Sequence, residues 1–142
     1  QITRGHLYVV DFNPRVRTKP GTLRPAVVIQ SDLVTEAGYP STVVVPTTTK
    51  LVADPGVMRF RLRAGHAGLE RESDVLLGQG VAVANESFRQ EIGALPDSLM
   101  DEIDRRIRII LIYKASASSL QSDRSSTGTA YFLGVARRVG AC

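Results

Sequence analysis

The chain has no tryptophan, two histidines, two methionines and one cysteine in 142 residues. The cysteine is Cys142, so an intramolecular disulfide is excluded, and a zinc cluster has no thiolates to build on. A Ser-His-Asp triad needs a histidine. His66 lies in a Gly-rich connection and His6 at a strand start, the settings of ordinary surface histidines. No P-loop and no GxGxxG occurs. No apolar run approaches the roughly 20 residues of a membrane span. The opening QITRGHLYVV has no charged region followed by an apolar one, so no secretory signal is read there.

What is present fits one globular unit, with 43% hydrophobic residues. The net charge of +4 is unevenly placed. Beyond Tyr113 the chain holds Lys114, Arg124, Arg137 and Arg138 against Asp123, which leaves the first 113 residues near neutrality. The basic character that matters is local: between Gln1 and Gln30, Arg4, Arg15, Arg17, Lys19 and Arg24 stand against Asp11 alone.

HLYVVDF (6–12), RPAVVIQ (24–30) and STVVVPTTT (41–49) read as strands rich in β-formers. NPRVRTKPGT (13–22) reads as a long loop. VMRFRLR (57–63) alternates, with Arg59, Arg61 and Arg63 on one side and Phe60 and Leu62 on the other. These arginines are a polar outer face or track phosphates. Glu70, Glu72 and Asp74 read as a solvated turn. DVLLGQGVAVA (74–84) predicts one or two strands broken by glycines, and QEIGAL (90–95) a short edge strand.

The period changes at Pro96. Leu99, Ile103, Ile107 and Ile110 form the apolar stripe of a helix, with Glu102–Arg106 and Asp104–Arg108 as supporting pairs. Many short strands followed by one helix predict a mainly β fold, a small barrel or sandwich with a packed helix. Residues 1–113 form this domain. Residues 114–142 are a serine-rich tail without periodicity, expected to be disordered alone.

The chemistry on offer is an arginine and hydroxyl set. Arg24, pinned by Pro25, precedes one buried strand, and Thr47, Thr48 and Thr49 end another, followed by Lys50. A guanidinium fork grips phosphate at two points, and a threonine hydroxyl can donate to a developing oxyanion. The plainer reading is that Arg24 ends a strand edge and the threonines are β-formers.

RGHLYVVDFNPR…TKPGTLRPAVVIQSD, STVVVPTTT, GHAGLERESDVLLGQ and the final amphipathic helix resemble, in order from about Arg4 to Leu111, the MazF/PemK family of toxin endoribonucleases. The most specific parts are the Gly-x-x-Arg-Pro lead-in, the Pro-x-Thr and the Asp-Val-Leu-Leu-x-Gln. The resemblance implies an SH3-like barrel of the CcdB/PemK type with a C-terminal amphipathic helix. It implies a homodimer that cuts single-stranded RNA at short sequences without a metal or other cofactor, silenced by a cognate antitoxin in the bacterial cytoplasm. Arg24 and Thr48 would be catalytic, the substrate's 2′-hydroxyl being the nucleophile. Arg15, Arg17, Lys19, Thr49, Lys50 and Gln79 would bind RNA. The chain departs from the family pattern at His6, where an acid is usual, in the loop at Arg17 to Gly21, and at Val81, where an arginine is usual. Two other functions stay open: a CcdB-like topoisomerase poison, and a barrel that binds RNA or antitoxin without efficient cleavage.

Overall fold

The computed structural model describes residues 1–12 and 23–112. The loop residues Arg15, Arg17 and Lys19, and the tail from residue 114 onward, lie outside the described residues. The described residues form seven strands: β1 (His6–Asp11), β2 (Leu23–Val28), β3 (Ser41–Thr48), β4 (Arg59–Leu62), β5 (Ser73–Leu76), β6 (Val81–Ala84) and β7 (Phe88–Ala94). A short helix α1 (Asp32–Glu36) follows β2, and the main helix α2 (Asp97–Ile112) ends the described chain.

The strands pair in the order β4-β5-β3-β2-β1-β7, with β6 also on β3. The sheet is antiparallel and barrel-like, but among the described residues it does not close; β4 and β7 are its ends. The long strand β3 explains the glycine-broken segment. Its second edge is shared: β6 covers Ser41–Val44, and β5 covers Thr47 and Thr48. Leu77–Gln79 form a 3₁₀ turn that takes up the shift in register between them.

Alternation in the central strands gives two apolar faces. Leu7, Val27, Val45 and Val75 point to a core with Met100 and Ile103 of α2. Tyr8, Val10, Ala26, Val28 and Val44 point the other way, to a cluster flanked by Ile2, Phe12, Val83 and Phe88. Phe60 and Phe88 therefore both pack, each on a different cluster.

Helix α2 begins after Pro96, with Asp97 in its first turn. The expected Glu102–Arg106 pair forms at 2.8 Å. Asp104 instead pairs with Arg4, which reaches across from the N-terminus, so the Asp104–Arg108 pair is replaced by a tertiary contact. Helix α1 went unpredicted: it has a Ser31 N-cap, but its five residues are too few to show a period.

The turn-rich connection after β4 is packed. Its 3₁₀ turn His66–Gly68 lies against β7 so closely that a Cβ at Gly68 would sit 2.4 Å from the Ile92 carbonyl oxygen. A Cβ at Gly93 would sit 2.5 Å from that of Ala67. Both glycines are thus required by close backbone approach.

Candidate active site

Arg24 is the second residue of β2 and pairs with Val10 of β1. Pro25 fixes the backbone beside it. The β2–β3 register matches Ala26 with Pro46, Val27 with Val45 and Val28 with Val44. Continued outward, it sets Arg24 across from Thr48. Thr47 secures this end of the pairing: its buried hydroxyl donates to the Pro25 carbonyl at 2.9 Å. Thr48 in turn is paired with Asp74 of β5, and Asp74 with Arg61 of β4. Residues directly opposed in antiparallel strands share a face. Arg24, Thr48, Asp74 and Arg61 therefore form one row across the sheet, on the face turned away from α2.

The Arg24 side chain is exposed and, among the described residues, has no ion pair or hydrogen bond. The Thr48 Oγ accepts the Lys50 backbone N–H at 3.1 Å. A hydroxyl that accepts in this way still has its own proton to donate. Lys50 is exposed. A guanidinium and a hydroxyl donor at adjacent strand ends can together hold a phosphate and stabilise charge on its oxygens.

Thr49 is placed differently. With Pro25, Ser73, Glu70, Arg71 and Glu91 it lines a cleft of about 430 Å³ between β7 and the connection after β4. Neither Arg24 nor Thr48 borders that cleft. Gln79 is exposed in the 3₁₀ turn between β5 and β6. The β2–β3 ladder ends at Ala26 and Pro46, and its register continued outward puts Arg24 opposite Thr48, while Thr49 lines the neighbouring cleft and Gln79 lies on a separate turn.

Asp74 corrects the expectation of a solvated turn: its side chain has no solvent exposure. Arg61 holds it with Nε at 2.9 Å and Nη2 at 3.2 Å, and Arg59 adds Nη1 at 3.2 Å. Burial pushes the Asp74 carboxyl up, but the two guanidiniums outweigh it and hold the pKa below the usual carboxylate value. Arg61 is raised in return, chiefly by its hydrogen bond to Asp74. Arg59 and Arg61 are therefore neither a plain outer face nor free phosphate ligands; Arg63, beyond the strand end, is exposed. A signal for this was present. Two arginines at alternate positions of one strand, next to a strand containing an acid, allow a cross-strand pair.

The other polar groups are accounted for. His6 pairs with Glu91, and His66 is exposed. Among the described residues no group of three or more His, Cys, Asp or Glu is arranged to hold a metal ion. No described helix is long and apolar enough to cross a membrane.

Fold and site together define a class: a small, mainly β, barrel-like domain whose described residues end in a helix, with a guanidinium and a hydroxyl at the ends of two central strands. The chain belongs to the PemK-like, MazF-like toxins of type II toxin–antitoxin systems, whose family model matches residues 3–111. It is 29% identical over 110 residues to endoribonuclease EndoA of Bacillus subtilis, covering 78% of this chain and 94% of that one. It is 32% identical over 112 residues to endoribonuclease MazF6 of Mycobacterium tuberculosis, covering 78% and 96%. Among solved structures, a mycobacterial endoribonuclease in complex with its cognate antitoxin superposes with a TM-score of 0.64 at 15% identity, covering 82% of this chain and all of that one. That likeness supports the fold.

Proposed function

We propose that this MazF-type toxin endoribonuclease cuts single-stranded RNA, messenger RNA above all, by transesterification within the substrate. The 2′-oxygen forms a bond to the adjacent phosphorus, and the bond from phosphorus to the 5′-oxygen breaks. The 2′-proton ends on the leaving 5′-oxygen. The products are a 2′,3′-cyclic phosphate and a 5′-hydroxyl. Arg24 grips the non-bridging oxygens as their charge grows, and Thr48 donates a hydrogen bond to the same group. No metal is needed for these roles. An arginine is a poor base, so Arg24 acts electrostatically and not by removing the 2′-proton.

The observation that supports this reading is the β2–β3 register, which, continued two residues beyond Ala26 and Pro46, runs Arg24, without a partner among the described residues, opposite Thr48. Lys50 adds a cation next to Thr48. Thr49 and Gln79 bind flanking nucleotides, and Arg15, Arg17 and Lys19 contact phosphates. Selectivity for short sequences rests on such side chains, because few aromatic residues are on hand to stack on bases. A cognate antitoxin silences the enzyme in the bacterial cytoplasm, where its substrate is. Relatives named as endoribonucleases favour this over a topoisomerase poison.

The test is single-turnover cleavage of a labelled RNA in EDTA, with analysis of the new ends. Wild type should cut and leave the cyclic phosphate. Thr48→Val keeps the strand shape and deletes the hydroxyl, so it should be impaired. If folded Arg24→Lys and Thr48→Val proteins cut at the wild-type rate, the assigned site is wrong. Loss of cleavage in Thr49→Val alone would move the hydroxyl donor to the cleft side of the strand.

A further inference from the structure

We propose that Asp74 is a positioning residue, which acts through Arg59 and Arg61 to hold the backbone that follows Thr48 and so to aim the Thr48 hydroxyl. The inference rests on the reading of Thr48 as the donor to the scissile phosphate.

The segment from Thr49 to Val57 connects the active strand to β4. It takes part in none of the turn and loop backbone–backbone hydrogen bonds among the described residues. Side chains hold it instead. Arg59 Nη1 donates to the Lys50 carbonyl at 3.0 Å and to Asp74 at 3.2 Å. Arg61 Nη2 donates to the Val52 carbonyl at 2.6 Å and to Asp74 at 3.2 Å. Each guanidinium is thus a bridge from one buried carboxylate to one carbonyl of the segment. Lys50 closes the chain, because its N–H is what Thr48 Oγ accepts.

Asp74 is the fixed point. It is fully buried, it is ionised, and its strand register sets it directly across from Thr48. Both arginines are largely covered, at 26% and 32% exposure, and their planar forks have donors enough for carboxylate and carbonyl at once. An apolar residue at position 74 would fill the site without orienting either fork. A buried ion network is weak evidence of added stability, and fixing local geometry is a role such networks serve in some proteins. Here the geometry imposed is that of the residues next to the reacting hydroxyl.

The experiment pairs cleavage with amide exchange. Asp74→Asn keeps the shape and removes the charge. Arg61→Lys keeps a charge beside Asp74 and cannot span to Val52; it serves also if Asp74→Asn does not fold. Ile103→Val, in the core under α2, is the control for lost stability alone. In the folded Asp74 and Arg61 variants, single-turnover cleavage should fall on the order of 10- to 100-fold, as expected for a misplaced catalytic group. RNA affinity should be unchanged, and the Lys50 amide should exchange faster than in wild type. Ile103→Val should lower the melting temperature without either effect. Wild-type cleavage and wild-type Lys50 protection in both variants would overturn the inference, as would a rate loss no greater than that of Ile103→Val. If Thr48→Val is impaired and the Asp74 and Arg61 variants are not, this inference alone fails. If Thr48→Val cuts as wild type does, the reading of the site fails and the inference falls with it.

Discussion

Arg24→Lys keeps the charge of the site and loses the planar fork. Removing one well-placed transition-state donor costs on the order of 10²–10³ in rate. Single-turnover cleavage should therefore fall by about that factor, with RNA affinity nearly intact and circular dichroism unchanged. Arg17→Ala should do the reverse, weakening RNA binding and flattening its salt dependence while the cleavage step at saturation holds, as for a phosphate contact. Filter binding across a salt series separates the two. At this scale the site was partly legible. Pro25 after Arg24 marked a strand start, and the Pro-x-Thr of the family resemblance singled out Thr48. What residue types cannot show is which strand ends meet, since the β2–β3 register depends on the pairing of distant segments. Nor could they separate Thr48 from Thr49, adjacent hydroxyls of which only Thr49 borders the cleft. Asp74 was hidden for the same reason: an acid in a polar run reads as solvated until two arginines are brought across from the next strand.

Among elements, helix α2 was the most legible, because its stripe is local and long enough to repeat. Its pairs show the limit. Glu102 meets Arg106 as spacing requires, while Asp104 is claimed by Arg4, a hundred residues earlier. The hydrogen bond from Arg105, with help from Arg106, outweighs burial and brings the Glu102 carboxyl down from 4.5 to about 2. A carboxyl depressed by folding stabilises fully above its unfolded pKa, and that contribution is lost as pH falls through the folded one. The window is thus from about pH 4.5 down to about 2. The group is partly exposed, so solvent screening keeps the contribution to about 1 kcal/mol or less. Melting temperature followed against pH should fall less steeply in this window for Glu102→Gln than for wild type. Equal slopes would show that the bridge contributes nothing in solution. The strand from Phe88 to Ala94 starts earlier than the QEIGAL run suggests, since Phe88 carries no alternating pattern of its own and joins the ladder through Val10 of β1.

At the scale of the whole molecule, net charge said little, because most of the excess lies beyond Tyr113. The family match ends at residue 111, and no core-forming pattern begins after it. Truncation after Tyr113 should leave the melting temperature and RNA cleavage unchanged; loss of either would mean that the AYFLGVA segment packs on the domain or a partner. A larger question is what meets the apolar edge of the second cluster. Helix α2 covers the face of Leu7, Val27 and Val45. The cluster of Tyr8, Val10, Ala26, Val28 and Val44 is itself buried in the single chain, at 6% exposure or less, and what stays exposed is its edge, where Val81, paired with Val44, is 42% exposed. A second copy of the chain would cover such an edge with surface of the same character, as isologous pairing requires. A stable dimer buries about 800 Å² per partner. Sedimentation at micromolar concentration should accordingly give about twice the 15.4 kDa chain mass. Val81→Asp puts a charge into that edge and should shift the equilibrium toward monomer without unfolding the chain. A clean monomer for wild type at micromolar concentration would sink the prediction, and an unaltered dimer for Val81→Asp would place the contact elsewhere on the molecule.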